Sequence, residues 1–503
     1  MDADNPALEP DLGELRALGR RLVDDYVDGL ARLRDEPAWR RPAPEVRERL
    51  QAPLARAGIG LEAAYRAFQR DVLPYRYGNV HPRFWGWVNG SGLPAGVLAD
   101  FLASGMNSNT GAFDQASVLV EEQVLSWMRG VFGHPADGDG ILTSGGSMAN
   151  LLALTAALVA KAPFDVRRVG LVAGGARLTV YGSSETHSSI TKAVEILGLG
   201  REHFRALPTD GERRLVIPEL VRALAADRAL GFTPFALIGN AGTVNTGATD
   251  DLAALADVAR REDLWLHVDG AFGALAWLAP EERGALAGLE RAHSLAFDLH
   301  KWLYLPSDVG CLLVREHGGL ERAFGYQAPY LLNLRGGLSS ATDGSFKDRG
   351  LELTRRFRAL KVWFALQAHG LGAFEAGVRA NLAQARHLVA LVRAEPRLEL
   401  VAPAPLNVVC FRYREPGLDD ALLNELNQEL LVRLQESGVA VPSQTVLDGR
   451  FALRAAITNH RTELADVELA VREVLRLGAE LAREARRSPA PDWIRSLPST
   501  THA

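Results

Sequence analysis

Cysteine is nearly absent: the 503 residues include two, Cys311 and Cys410. Two thiols cannot staple a small secreted scaffold, so a disulfide framework is excluded. Cys311 lies in an apolar strand pattern, where a thiol packs as a small hydrophobe. Long apolar runs are missing too. The run LLALTAALVA is bounded by Asn150 and Lys161, well short of the ~20 residues a spanning helix needs. The opening MDADNPALEP lacks the charged-then-apolar order of a signal peptide, and a cytoplasmic protein is expected. Neither sign of charge dominates, with 56 Lys and Arg against 61 Asp and Glu. Arginines are interleaved with acids, so no nucleic-acid surface is expected. No membrane or metal partner is expected either. There is no internal repeat, and the G-x-G-x-x-G dinucleotide fingerprint is absent.

What is present reads as a globular chain longer than one usual domain. Apolar residues recur at helical spacing through Leu15, Leu18, Leu22, Tyr26, Leu30 and Leu33, which predicts a helix over 12–33. Two more helices are expected over 45–54 and 61–73, split by Gly58-Ile59-Gly60. Three short helices bury little on their own, so their apolar faces need a partner. From 141 to 314, strand-like runs (RRVGLVAG, LTVYGSS, PFALIGNAG, LWLHVDGA, SLAFDLH, VGCLLVRE) alternate with helical ones. Alternation of this kind predicts a mainly parallel sheet with helices on both faces. A helix is expected over 351–369. From about 372 to 477, helices and strands follow as a smaller α+β domain, and 480–503 reads as an exposed tail.

The chemistry-bearing residues fall just after the expected strands, where open α/β sheets place their ligands. Lys301, in Asp298-Leu299-His300-Lys301-Trp302, sits between apolar runs. Burying its charge is costly, and a neutral lysine amine condenses with an aldehyde to form an imine. Asp269 ends the run LWLHVD. A carboxylate there suits either a helix cap or a protonated ring nitrogen. Ile141–Asn150, ILTSGGSMAN, reads as strand, Gly-Gly turn and helix start. Free N–H groups and the helix dipole make that turn a phosphate cradle. His187, in Thr186-His187-Ser188-Ser189, can stack on a flat ring or donate a proton.

In the order cradle, His, Asp, Lys, these motifs resemble the fold type I pyridoxal-phosphate enzymes, and among them the group II amino-acid decarboxylases. The resemblance runs from about Leu73 to Asp466 and includes HPRFWGW (81–87), TSGGSMAN (143–150), THSSITKA (186–193), GTVNTGATDDL (242–252), HVDGA (267–271), DLHKW (298–302) and RRFRALKVWFALQAHG (355–370). It implies pyridoxal 5'-phosphate as cofactor, Lys301 as the imine-forming lysine, Asp269 on the ring nitrogen and His187 over the ring. It further implies Gly146, Ser147 and His300 near the phosphate, with Ala271 and Asp298 also at the cofactor. It implies that the 81–90 segment lines the substrate pocket, with His81, Arg83, Phe84 and Trp85 as candidates and Trp87 beside them. A homodimer is implied, with residues 1–78 as a dimerising helical segment, 79–370 as the cofactor-binding domain, 371–485 as the small domain and 486–503 as the tail.

Two departures bear on the reaction. Residues 325–349 read as a mobile loop or lid. Counting back from Arg355-Arg356-Phe357, the loop tyrosine that returns a proton in decarboxylating relatives matches Phe346, which has no proton to give. Relatives with Phe there are aldehyde synthases; Tyr326 and Tyr330 are alternative donors. Val244 stands where relatives place a threonine, and Thr243 or Thr246 can substitute. The expected reaction is decarboxylation of an L-amino acid, aromatic by the pocket residues. The rivals are an aldehyde synthase, a decarboxylase of an acidic amino acid, another lyase or an aminotransferase, and a non-catalytic scaffold.

Overall fold

The computed structural model describes residues 8–326, 329, 336–340 and 345–487. Its strands are β1 (Phe84–Trp85), β2 (Asp139–Thr143), β3 (Arg177–Ser183), β4 (Phe204–Leu207), β5 (Phe232–Asn240), β6 (Trp265–Asp269), β7 (Ser294–Asp298), β8 (Gly310–Val314), β9 (Leu398–Leu400), β10 (Val408–Tyr413), β11 (Val441–Leu447) and β12 (Arg450–Ala456). The larger sheet has the order β2-β8-β7-β6-β5-β3-β4. Pairs among β3 to β7 are parallel, whereas β8 runs antiparallel to both β7 and β2. Central strands β6 and β7 are buried along their whole length, as strands covered by helices on both faces must be. The expected mainly parallel α/β sheet is therefore present, with one antiparallel strand between β7 and β2. The carboxyl ends of β2, β3, β5, β6 and β7 come out along one edge, and every candidate catalytic residue follows one of those ends.

The smaller sheet, β1-β11-β12-β10-β9, packs on the helices Asp420–Glu436 and Leu464–Arg487. It contains a correction to the expected domain layout. β1, expected with the large domain, pairs in parallel with β11, Phe84 opposite Val441 and Trp85 opposite Pro442. Its side chains follow, with Trp85 in the small domain's core. The long helix Ala359–Ala394 joins the two domains and breaks at Gly370, whose φ is 69°.

Two further expectations change. RRVGLVAG is helical, within Val166–Gly174, because Asp165 caps it by accepting the Arg168 N–H; a short apolar run carries no signal that separates strand from helix. The helix expected from 351 begins only at Ala359. Arg355 precedes it and is buried against Glu121, at 2.6 Å, and the Leu142 carbonyl. An ion pair this deep is held by surrounding hydrogen bonds and is not a solvated helix face. No single helix among the described residues is long and apolar enough to cross a membrane. The 486–503 tail lies almost wholly outside the described residues.

Candidate active site

A cavity of about 430 Å³ opens at the carboxyl edge of the large sheet. It is lined by Gly146, Ser147, His187, Asp269, Ala271, Asp298, His300 and Lys301, so the eight cofactor candidates meet in one place. Asn150, Asn240, Thr243, Val244, Trp87 and Val88 also face it.

The floor is built by glycine. Gly145 has φ 153°, a conformation side chains rarely adopt, and a Cβ there would lie 3.3 Å from His300 Cε1. The helix Gly146–Lys161 starts at this point without a side-chain cap. Its first N–H groups therefore remain free for an anion. His300 Nδ1 faces the Val309 backbone, 2.9 Å from its carbonyl and 3.1 Å from its N–H. Burial lowers the His300 pKa, and the ring stands beside the cradle.

Lys301 Nζ lies 2.8 Å from Asp298 Oδ2. The lysine is thus held by a carboxylate and not only by the apolar runs around it in the sequence. Asp298 Oδ1 is buried with no partner among protein atoms. Asp269, also buried, accepts the Asn150 amide at 2.8 Å and the Ala271 N–H at 3.1 Å. Among the described residues no lysine or arginine pairs with it. A buried carboxylate without a cation calls for one from a ligand. His187 takes the Ser189 N–H on Nδ1 at 3.2 Å. Its pKa is lowered, first by burial and then by Lys301, against the raising effect of Asp269. An anion cradle, an amine, a carboxylate awaiting a positive ring atom and an imidazole together fit pyridoxal phosphate.

The expected substrate residues are placed elsewhere, which corrects that reading. His81 is buried with Nε2 on the Glu36 carbonyl at 3.1 Å, and burial lowers its pKa to about 4. Arg83 donates to the Val439 carbonyl at 2.7 Å and reaches Asp466 at 3.4 Å. Phe84 packs with Ala38 and Val441. Trp85 donates to Thr462 Oγ1 at 3.1 Å. The first half of the segment is consumed in docking β1 to the small domain. Its second half reaches the site: Trp87 and Val88 line the cavity, and Gly90 passes so close that a Cβ would meet the His300 carbonyl at 2.2 Å. Phe346 is likewise away from the cavity. It is fully buried, with the Arg349 and Arg355 guanidinium carbons 4.8 and 4.9 Å from its ring centre. Tyr326 is exposed, and Tyr330 lies outside the described residues. Thr243 faces the cavity beside Val244, while Thr246 is buried behind it, 3.2 Å from the Thr243 hydroxyl.

Arg454 of β12 has no counterpart in the sequence reading. It is buried and donates to the carbonyls of Trp87 at 2.8 Å and Asn245 at 3.0 Å, and to that of Val244. It therefore ties two cavity walls to the small domain. Only an arginine in an otherwise apolar strand, FALRAA, hints at it.

Comparison with known proteins agrees with this geometry. The chain is 33% identical over 473 residues to an aromatic-L-amino-acid decarboxylase of Bacillus atrophaeus, covering 93% of this chain and 96% of that one. It is 30% identical to a phenylacetaldehyde synthase of Petunia hybrida, covering 92% and 93%. The solved structure of Oryza sativa TDC with PLP and tryptamine superposes with a TM-score of 0.87 at 29% identity, covering 95% and 99%. Residues 69–414 match the pyridoxal-dependent decarboxylase conserved domain, and the chain belongs to that family, a pyridoxal-phosphate carboxy-lyase acting on an amino acid.

Proposed function

We propose that the protein removes the α-carboxylate of an aromatic L-amino acid and releases the amine and carbon dioxide. The observation that carries the substrate class is Trp87. It is the indole on the cavity wall, stacked on Tyr77 at 5.8 Å between ring centres, and a flat apolar face suits an aromatic side chain. Relatives named for aromatic-L-amino-acid, tyrosine and tryptophan decarboxylation support the same reading.

Bound pyridoxal phosphate supplies a carbonyl to condense with amines and a ring that accepts the electron pair left by carbon dioxide. The chain's own residues then have separate tasks. The cradle of Gly146, Ser147 and His300 binds the phosphate. Lys301 Nζ would hold the cofactor's carbonyl carbon, and Asp298, 2.8 Å away, would hold the lysine ammonium when that amine is free. Asp269 holds the proton on the ring nitrogen. His187 covers the ring face and keeps water from it. Trp87 and Val88, on the cavity wall, would hold the substrate side chain and so orient the bond to its carboxylate.

The assembly in this reading is a homodimer. Helix Leu12–Arg32 has no buried residue, and Leu15, Leu22, Val23 and Val27 are exposed on it. Phe101, 77% exposed, and Met106 add to the apolar surface. Apolar area on this scale needs cover. Both cysteines are buried and unpaired, in keeping with a reducing cytoplasm. The Phe346 argument for an aldehyde product falls with that residue's burial. The test is a visible absorption spectrum before and after a panel of L-amino acids, with amine, ammonia and hydrogen peroxide assayed together. An imine band that shifts with aromatic amino acids, and amine without peroxide, is expected. Lys301→Ala should lack the band; a surviving band would remove Lys301 from its role, and peroxide with ammonia would replace the amine reading.

A further inference from the structure

Behind the Asp269 wall lies a buried chain of polar side chains that none of the tasks above uses. Trp265 Nε1 donates to Ser294 Oγ at 2.8 Å, and Ser294 Oγ lies 2.8 Å from His267 Nδ1. His267 Nε2 lies 2.9 Å from Asn150 Oδ1. The Asn150 amide donates to Asp269 Oδ2 at 2.8 Å and to Ser189 Oγ at 2.9 Å. Ser189 Oγ lies 2.8 Å from His187 Nδ1. Trp265, His267, Ser294, Asn150 and Ser189 are each at most 4% exposed.

The direction of every bond follows from the ends. An indole N–H only donates, so Ser294 accepts there and turns its own proton to His267 Nδ1. At the other end a carboxylate only accepts, so Asn150 turns its amide nitrogen to Asp269 and its oxygen to His267. Both constraints demand the same form of His267, neutral with its proton on Nε2. Burial acts the same way, lowering its pKa to about 4. A branch runs through Ser189, which accepts from Asn150 and donates to His187 Nδ1. The Ser189 N–H meets the same nitrogen. His187 therefore keeps its proton on Nε2.

We propose that Asn150 and His267 are positioning residues: the relay they form fixes Asp269 as an acceptor toward the cofactor's ring nitrogen and sets the tautomer of His187. A single amide thereby governs both groups that flank the ring. His267 adds no positive charge behind Asp269, so the ring nitrogen is the cation that carboxylate is built to meet. This inference rests on the assignment of Asp269 to the ring nitrogen.

The experiment is a binding titration of the apoprotein with pyridoxal phosphate and with its 1-deaza analogue, in which C–H replaces the ring nitrogen. Wild type should prefer the natural cofactor. Asn150→Ala should reduce that preference about ten-fold, the worth of one hydrogen bond to a charged group. Equal weakening of both ligands would overturn the proposal, because a merely structural residue does not distinguish them. Equal binding of both by wild type would instead overturn the Asp269 assignment. Ser294→Ala removes one oxygen three hydrogen bonds from Asp269 and decides the matter if Asn150→Ala does not fold. A several-fold loss of preference is expected, and an unchanged preference would overturn the relay.

Discussion

Replacing Arg454 by methionine tests whether a small-domain residue shapes the substrate wall. The side chain is 3% exposed and donates to the backbone carbonyls of Trp87, Val244 and Asn245 and, at 3.3 Å, to Ser443 Oγ. Burial pushes its pKa down to about 10 from 12.5. At ~1.4 kcal/mol per pKa unit, holding that charge costs about 3 kcal/mol. Three hydrogen bonds to carbonyls and a longer one to Ser443, at ~1.5–3 kcal/mol for each from a charged donor, stand against that cost. Methionine recovers the desolvation cost and fills much of the space, so the net stability loss should be only a few kcal/mol. The local effect should be larger than the global one. Trp87 sits at φ 53°, a conformation a bulky residue adopts only when its surroundings hold it. Without Arg454 that wall relaxes. We expect KM for an aromatic amino acid to rise about ten-fold or more, with pyridoxal-phosphate affinity unchanged, since no cradle residue contacts Arg454. Steady-state kinetics beside a cofactor titration would read both. Unchanged KM in a folded variant, or equal loss of cofactor affinity, would refute the reasoning.

Trp87→Ala should raise KM for aromatic substrates more than it lowers kcat, by roughly 10- to 100-fold for ~1.5–3 kcal/mol of lost apolar contact; equal kinetics would move substrate recognition elsewhere. Phe346→Tyr should leave the ratio of amine to peroxide unchanged, because the ring is enclosed between Arg349 and Arg355. It should lower thermal stability by ~1–3 kcal/mol if the new hydroxyl finds no partner, and a changed product ratio would place that ring at the substrate after all. His81, His134 and His267 have pKa values lowered by burial to about 4. The unfolded chain protonates these groups first, so the stability they contribute is complete above about pH 6.5 and lost as pH falls toward 4, up to ~3 kcal/mol for each. Melting temperature should drop between pH 6.5 and 5, and a flat profile over that range would contradict their neutral burial.

The proposed cofactor end of the site was legible in the sequence because its residues close a strand or follow one within a few positions, and strand ends are marked by local pattern. Asp269 closes LWLHVD and Lys301 follows SLAFD, so topology alone brings them to one edge. The substrate end was not legible. His-Pro-Arg-Phe-Trp reads as a pocket motif, yet which of its aromatics faces a ligand depends on where β1 finds a partner strand. That partner, β11, lies more than 350 residues later, and no local period records the pairing. The count that placed Phe346 opposite the substrate failed for a related reason. Nothing local marks Arg349 and Arg355 as its neighbours; pairing of Arg355 with Glu121 and Leu142, and of Arg349 with Glu122 and Gly140, sets both against the ring. Asn150 and Arg454 escaped notice because each acts through a partner distant in the chain.

β1 makes the segment 81–90 a strut with ends in different bodies. One end is a strand of the small domain's sheet, and the other presses Gly90 against the backbone carrying Lys301. The residues proposed to hold the cofactor follow strands of the large sheet, whereas the wall proposed to meet the amino-acid side chain hangs from the small domain through this strut and Arg454. Chemistry and selectivity are thereby mechanically separable. A change in the small domain can re-aim Trp87, and so alter which amino acid fits, while the groups that hold the cofactor stay where they are. The same fold can diversify in substrate without rebuilding the machinery that breaks the bond.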